Sequence, residues 1–152
     1  MEKKYSILVI VMLFISSCGT KVPMTAEVTY KNYTNEIMNV DVIGYGSKKE
    51  DALENAQKTA MDIVLFRGIP NSNLKSPHIG INESEIKAKN KKYFDVFYGQ
   101  KRFLSFITYS VTKIPVQKLE NNKKGVAANV KINIMSLRKD LEENGIIRKF
   151  GY

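Results

Sequence analysis

The sequence predicts an α+β fold: an antiparallel sheet with a long C-terminal hairpin and helices packed mainly on one face. Three observations predict it. Two strand-like segments, 26–33 and 37–45, precede the first helical pattern. Ala52, Ala56, Ala60, Ile63 and Val64 then recur at helical spacing. Near the end, Val126, Ala128, Val130, Ile132 and Ile134 alternate with Ala127, Asn129, Lys131 and Asn133, the period of a half-buried strand. Helices and strands grouped in this way argue for segregated layers rather than alternating parallel units.

The first strand, Ala26 to Tyr33, is rich in Val, Thr and Tyr. The second, Ile37 to Tyr45, carries Ile37, Val40, Val42 and Ile43, whose branched side chains suit a pleated surface. Gly44 and Gly46 break it. Ser47-Lys48-Lys49-Glu50 has the spacing of a capping box, in which the Ser47 hydroxyl accepts from the N–H three residues on and Glu50 reaches back. Asp51 adds negative charge where the helix dipole favours it. The small residues Ala52, Ala56 and Ala60 permit close approach to a sheet. Arg67-Gly68-Ile69-Pro70 ends the helix, with Gly68 suited to a left-handed position and Pro70 barring continuation.

Asn71 to Asn82 is a loop, dense in Asn, Ser, Pro and Gly. Glu83 to Lys92 is charged and suits the start of a second helix. Tyr93, Phe94, Phe97 and Tyr98 follow at spacings that suit one helical face, with Gly99 as a stop. Phe103 to Leu119 reads as a long strand bent at Pro115. Asn121 to Gly125 is the polar turn that joins it to the alternating strand. Ser136 is the expected cap of a last helix, Leu137 to Asn144, stopped at Gly145. Ile146 to Tyr152 is a basic, partly apolar tail.

Ahead of this domain stands Met1 to Cys18, MEKKYSILVIVMLFISSC. Lys3 and Lys4 lead into an apolar stretch, Ile7 to Ile15, that closes on small residues. This is the layout of a secretory signal. The stretch is shorter than the roughly 20 apolar residues that span a bilayer. Ile15-Ser16-Ser17-Cys18 resembles the lipobox of bacterial lipoproteins, with Ile for the usual Leu and Ser for the usual Gly or Ala before the cysteine. The resemblance implies cleavage before Cys18 and lipidation of its sulfur and its new amino group. Several acyl chains, at about 0.8 kcal/mol per buried CH₂, make a stable anchor. Residues 1–17 are then the signal peptide, 18–25 a lipidated tether and 26–152 a single α+β domain. Gly19 stands where typical inner-membrane lipoproteins carry Asp, and no acidic cluster follows. The expected address is the outer membrane, on its periplasmic face. The simpler alternative is a cleavable signal with a cysteine there by chance.

The strand ending Val40-Asp41-Val42-Ile43-Gly44-Tyr45-Gly46, followed by Ser47 and the Ala52, Ala56, Ala60 helix, resembles small bacterial envelope lipoproteins. Their domain is similar to the N-terminal domain of flagellar assembly protein T. The resemblance covers Asp41 to Gly68 well and the hairpin loosely. It implies an accessory or structural envelope role and supplies no catalytic residues.

Composition narrows the chemistry. The chain has 24 Lys and Arg against 15 Asp and Glu, a net charge of +9. This becomes +8 when Glu2, Lys3 and Lys4 leave with the signal. Basic balance suits nucleic acid or anionic surfaces. Export removes nucleic acid and leaves anionic headgroups, lipopolysaccharide or an acidic protein; a solvated lysine surface is the plainer reading. Cys18 is the only cysteine, so once lipidated it leaves no thiol for disulfide, metal or nucleophile chemistry.

The remaining candidates are weak as catalytic groups. Gly44-Tyr45-Gly46-Ser47-Lys48-Lys49 has Lys49 where a dinucleotide fingerprint needs its third glycine. His78, the only histidine, has no cysteine partner for a zinc site. Glu83, Glu85, Asp140, Glu142 and Glu143 read as helix-surface charge. No catalytic residue, metal or cofactor is expected. Lys91, Lys92, Tyr93, Phe94, Phe97 and Tyr98 interleave bases and aromatics, and read either as core packing with solvated lysines or as a groove for a peptide, glycan or lipid. Two functions follow. The first is a non-enzymatic lipoprotein, held to the membrane by its lipid, that binds another envelope protein or a cell-wall component. The second is a periplasmic binder of a small molecule, glycan or lipid through the aromatic cluster.

Overall fold

The structure, a computed structural model, describes residues 28–70, 72–118 and 124–149. The signal, Cys18 and its tether lie outside the described residues, as do Ala26, Leu119 and most of the expected Asn121–Gly125 turn. The elements run β1 (Val28–Thr34), β2 (Ile37–Gly46), α1 (Lys49–Phe66), α2 (Glu83–Lys89), α3 (Lys91–Phe94), a π-helical turn (Asp95–Gly99), a 3₁₀ turn (Arg102–Phe106), β3 (Ile107–Lys118), β4 (Lys124–Asn133) and α4 (Ile134–Glu143). The sheet is antiparallel throughout, in the order β1-β2-β4-β3. The α+β class and the hairpin of β3 with β4 are as the sequence predicts.

Alternation decides which face of the sheet is covered. Met38, Val40 and Val42 of β2 lie beside Val126, Ala128, Val130 and Ile132 of β4, all buried under α1. Asn39, Asp41 and Asn129 point the other way. Asn129 donates to Asn39 Oδ1 at 2.6 Å and to Asp41 Oδ1 at 2.8 Å, while Lys31 and Lys113 reach Asp41 at 3.0 and 2.9 Å. Burial alone would raise the Asp41 carboxyl, but the bonds from Asn129, Lys113 and Lys31 prevail and hold it below the usual range.

Glycine sets the distance between helix and sheet. A Cβ at Gly44 would stand 2.1 Å from Ala52 O and 2.5 Å from Ala56 N. One at Gly46 would meet Ala52 N at 2.5 Å. Ala52, Ala56 and Ala60 are fully buried, so the small-residue stripe faces the sheet. The cap of α1 lies one residue later than the sequence suggests. Lys48 occupies the cap position, and its N–H donates to the Asp51 carboxylate at 3.3 Å. The Ser47 hydroxyl donates to the same carboxylate at 3.2 Å. A lysine side chain holds no acceptor, so Asp51 alone supplies the cap.

The C-terminal half of α1 is buried all round, from Thr59 to Phe66, because the following loop wraps it. Gly68 takes a left-handed φ of 74° and donates to Ile63 O at 2.8 Å. The N–H groups of His78 and Ile79 then donate to Val64 O and Leu65 O at 3.1 and 3.0 Å. The loop therefore satisfies carbonyls that a helix end leaves without partners.

Two other expectations are corrected. Phe103 to Phe106 is not strand: a 3₁₀ turn buries Phe103 and Phe106 at its period of three, and β3 begins at Ile107. Helix α4 starts at Ile134, not Leu137, because Asn133 Oδ1 rather than Ser136 accepts the capping bond, from Ser136 N–H at 2.9 Å. The aromatic helical segment stops at Gly99, as expected, and Lys101, two residues on, takes a left-handed φ of 57°. Pro115 falls within a register shift of β3, consistent with the expected bend.

Candidate functional site

The site grows from a break in a helix. Asn90 ends α2, and its Nδ2 donates back to Ile86 O at 3.0 Å, a local bond that competes with helix continuation. The chain restarts as α3 and then widens into the π-helical turn. The four aromatics that the sequence places on one face stay in ring contact across this turn but meet different neighbours. Phe94 and Phe97 enter the core, at 5% and 0% exposure, and offer no ring face to a ligand. Tyr93 reaches α4 and Tyr98 reaches α1.

On the α1 side, the Tyr98 hydroxyl donates to Asp62, a carboxylate only 2% exposed. Lys87 lies 3.5 Å from Asp62 and 2.7 Å from Glu83. Its ammonium also sits over the Tyr98 ring, 4.4 Å from the centroid. Burial raises the Asp62 carboxyl above its usual range, against the Tyr98 hydrogen bond and the Lys87 charge, which favour the anion. The Tyr98 phenol is raised too, by burial first and the Asp62 charge second. A carboxyl with a raised pKa binds its proton more tightly folded than unfolded. Its stabilisation is complete below the unfolded value of about 3.9 and is lost as pH rises through the higher folded value. Asp62→Asn removes that titration. Thermal melts from pH 4 to 7 should show wild type losing stability relative to the variant as pH rises. Parallel curves would mean that Asp62 is not desolvated in this way.

On the α4 side, Tyr93 donates to Asp140 Oδ2 at 2.7 Å and Arg102 donates to Asp140 Oδ1. Asp140 is 7% exposed, so it is no surface charge, as its position in the sequence suggests. Arg102 and Tyr93 satisfy it, and removing either would leave a buried carboxylate short of partners. The Tyr93 phenol is raised by burial first and by this bond second.

Beside Tyr93 and Arg102 lies an open cleft of about 490 Å³. It is lined by Lys89, Asn90, Lys91, Lys92, Tyr93 and Val96 together with Arg102, Asn144 and Ile146. Lys91 is paired with Asp95, and Arg102 with Asp140. Lys89 and Lys92 have no carboxylate partner among the described residues. The cleft therefore carries uncompensated positive charge.

Of the six possible binding residues, the cleft brings together Lys91, Lys92 and Tyr93. Lys89, Arg102, Asn144 and Ile146 escape sequence reasoning because they converge from separate elements. The glycine segment before α1 is no anion loop: the close approach that Gly44 and Gly46 allow is taken up by the helix backbone. His78 lies in the loop capping α1; burial first and the nearby Arg138 second hold its pKa low. Glu83 pairs with Lys87, Glu142 with Arg138 at 2.9 Å and Glu143 with Lys139 at 3.8 Å, so these three are held in ion pairs. No group of three or more His, Cys, Asp or Glu among the described residues is placed to hold a metal ion. No helix among them is long and apolar enough to cross a membrane. Comparison with family models, curated proteins and solved structures gives no match to this chain.

Proposed function

We propose that this chain is a lipid-anchored envelope protein with an accessory or structural, non-catalytic role. Cys18 carries the anchor, the outer membrane holds it on the periplasmic face, and the α+β domain binds another envelope component. The likeness of its strand–turn–helix segment to small envelope lipoproteins supports this reading. The observation that carries the binding part is the cleft, in which Lys89 and Lys92 stand uncompensated on a concave surface beside Tyr93 and Arg102. Such a surface suits an anionic partner, and its attraction weakens as salt screens exposed charge over about 8 Å at physiological ionic strength.

Two substitutions test the two parts. Cys18→Ala should abolish incorporation of labelled palmitate and release the protein from membranes. A variant still labelled and still membrane-bound would end the anchor reading. Lys89→Glu with Lys92→Glu should lower retention of the domain on washed envelope fragments at least tenfold, and wild-type retention should fall with added salt. Retention that ignores both would remove the cleft from the function.

A further inference from the structure

We infer that the cleft binds an acid-bearing sugar, a ligand that joins a carboxylate or phosphate to a ring with free hydroxyls. The inference rests on the envelope-binding reading and names the ligand class of the same site. Three features of the lining carry it.

First, the cations are unequally occupied. Asp95 neutralises Lys91 and Asp140 engages one edge of Arg102, whereas Lys89 and Lys92 lack carboxylate partners among the described residues. The guanidinium has N–H groups beyond those committed to Asp140, and its side chain is 39% exposed. The anionic part of a ligand therefore meets two ammonium groups and the free edge of Arg102.

Second, the asparagines present acceptors. Asn90 Nδ2 is tied to Ile86 O at 3.0 Å, and Asn144 Nδ2 to Asp140 O at 2.8 Å. In both, the amide nitrogen is bonded back to its own helix, which leaves Oδ1 without a hydrogen bond among the described residues. Hydrogen phosphate offers them only its own acid O–H, and a free carboxylate has nothing to donate. A hydroxyl-bearing ring does, so the site is complete only for a ligand with both an acid and donors.

Third, the remaining lining is apolar and aromatic. Tyr93 gives its ring, and Val96 and Ile146 give aliphatic surface, which suits the C–H face of a sugar. The Tyr93 ring is held in place at both ends. Its hydroxyl is bound to Asp140, and its ring stacks on Phe97 at 5.5 Å between centroids. The cleft volume lies in the range of small-ligand sites. An extended peptide would instead seek main-chain bonds along a strand edge. No strand residue lines this cleft, so it offers no such edge.

The test uses the full lipidated chain in detergent micelles, titrated with glucuronic acid, glucose 6-phosphate, glucose, acetate, inorganic phosphate and triglutamate. Amide shifts at residues 89–93 and 144–146 are followed by NMR. At least one sugar acid should saturate these shifts with an affinity at least tenfold above that of glucose and of either free anion. The acid preferred, carboxylate or phosphate, identifies the anion. Lys89→Glu with Lys92→Glu should lower the affinity at least tenfold, and Lys89→Arg with Lys92→Arg should restore most of it. Asn144→Leu should lower it for the sugar acids by a larger factor than for acetate. Free anion bound as tightly as sugar acid would overturn the inference, as would tighter binding of triglutamate or no binding of any sugar acid. If the sugar acids fail while envelope retention still depends on Lys89 and Lys92, this inference falls and the envelope-binding reading stands. If retention is also independent of both lysines, both fall.

Discussion

Gly44→Ala is expected to destabilise the domain by about 3 kcal/mol, the upper end of the usual cost of overpacking. That corresponds to a fall in melting temperature of roughly 10 °C for a domain of this size. The added Cβ would lie 2.1 Å from Ala52 O, 2.5 Å from Ala56 N and 2.7 Å from Ala56 Cβ. Two of these are backbone atoms, so no rotamer change relieves the contact and α1 must move off the sheet. Ala56→Gly in the same chain should restore little, because Ala52 O remains in the way. Gly99→Ala is the matched control. Nothing lies within 4 Å of its added Cβ, and its stability should be equal to wild type or slightly higher. Melts followed by far-UV circular dichroism distinguish the cases. If Gly44→Ala melts with wild type, the close approach of α1 to β2 is wrong.

Phe97→Ala is expected to cost about 3–5 kcal/mol, the range for truncating a buried aromatic. Phe97 has no exposed surface and joins the rings of Tyr93, Tyr98 and Phe106, with centroids 5.5, 4.9 and 6.0 Å away. Its removal leaves a cavity where the π-helical turn meets the 3₁₀ turn. It also removes the ring on which Tyr93 stacks. Binding at the cleft should therefore weaken along with stability, although Phe97 lines no part of it. Phe97→Leu, which fills more of the space, should cost less on both counts. Urea unfolding measures the first effect and retention on envelope fragments the second. A variant with a normal urea midpoint would place Phe97 outside the core.

The main secondary-structure elements were legible because their signals are local. The alternation of β4 needs only its own residues, and so does the alanine stripe of α1. Boundaries were read less well wherever a cap could form at more than one residue. Ser47 and Ser136 are good caps by type, yet Asp51 and Asn133 hold the bonds. The Asn35-Glu36 turn between β1 and β2 carries no glycine and still takes positive φ at both residues, 52° and 60°. Paired strands and the bond from Ile134 N–H to Glu36 O hold it there. The candidate site was half legible. Lys91, Lys92 and Tyr93 are adjacent in the chain and visible as a basic aromatic run. Asp140 is 47 residues from Tyr93 and looked like one more charge on an exposed helix.

By itself, then, the sequence determined the fold class, the strand and helix periods, the glycine–alanine contact surface and the expectation of a lipid anchor at Cys18. All of these rest on residue type and short spacing. Only the tertiary structure decided that β4 lies between β2 and β3, that Asp62 and Asp140 are buried, and that the π-helical turn sends Tyr93 and Tyr98 to different helices. It also decided that Lys89 and Lys92 are the lysines of the cleft without carboxylate partners among the described residues. The reason is physical. Burial and ion pairing depend on which distant groups arrive at the same point, and a chain reports its own periodicity but not the identity of the neighbours it will meet.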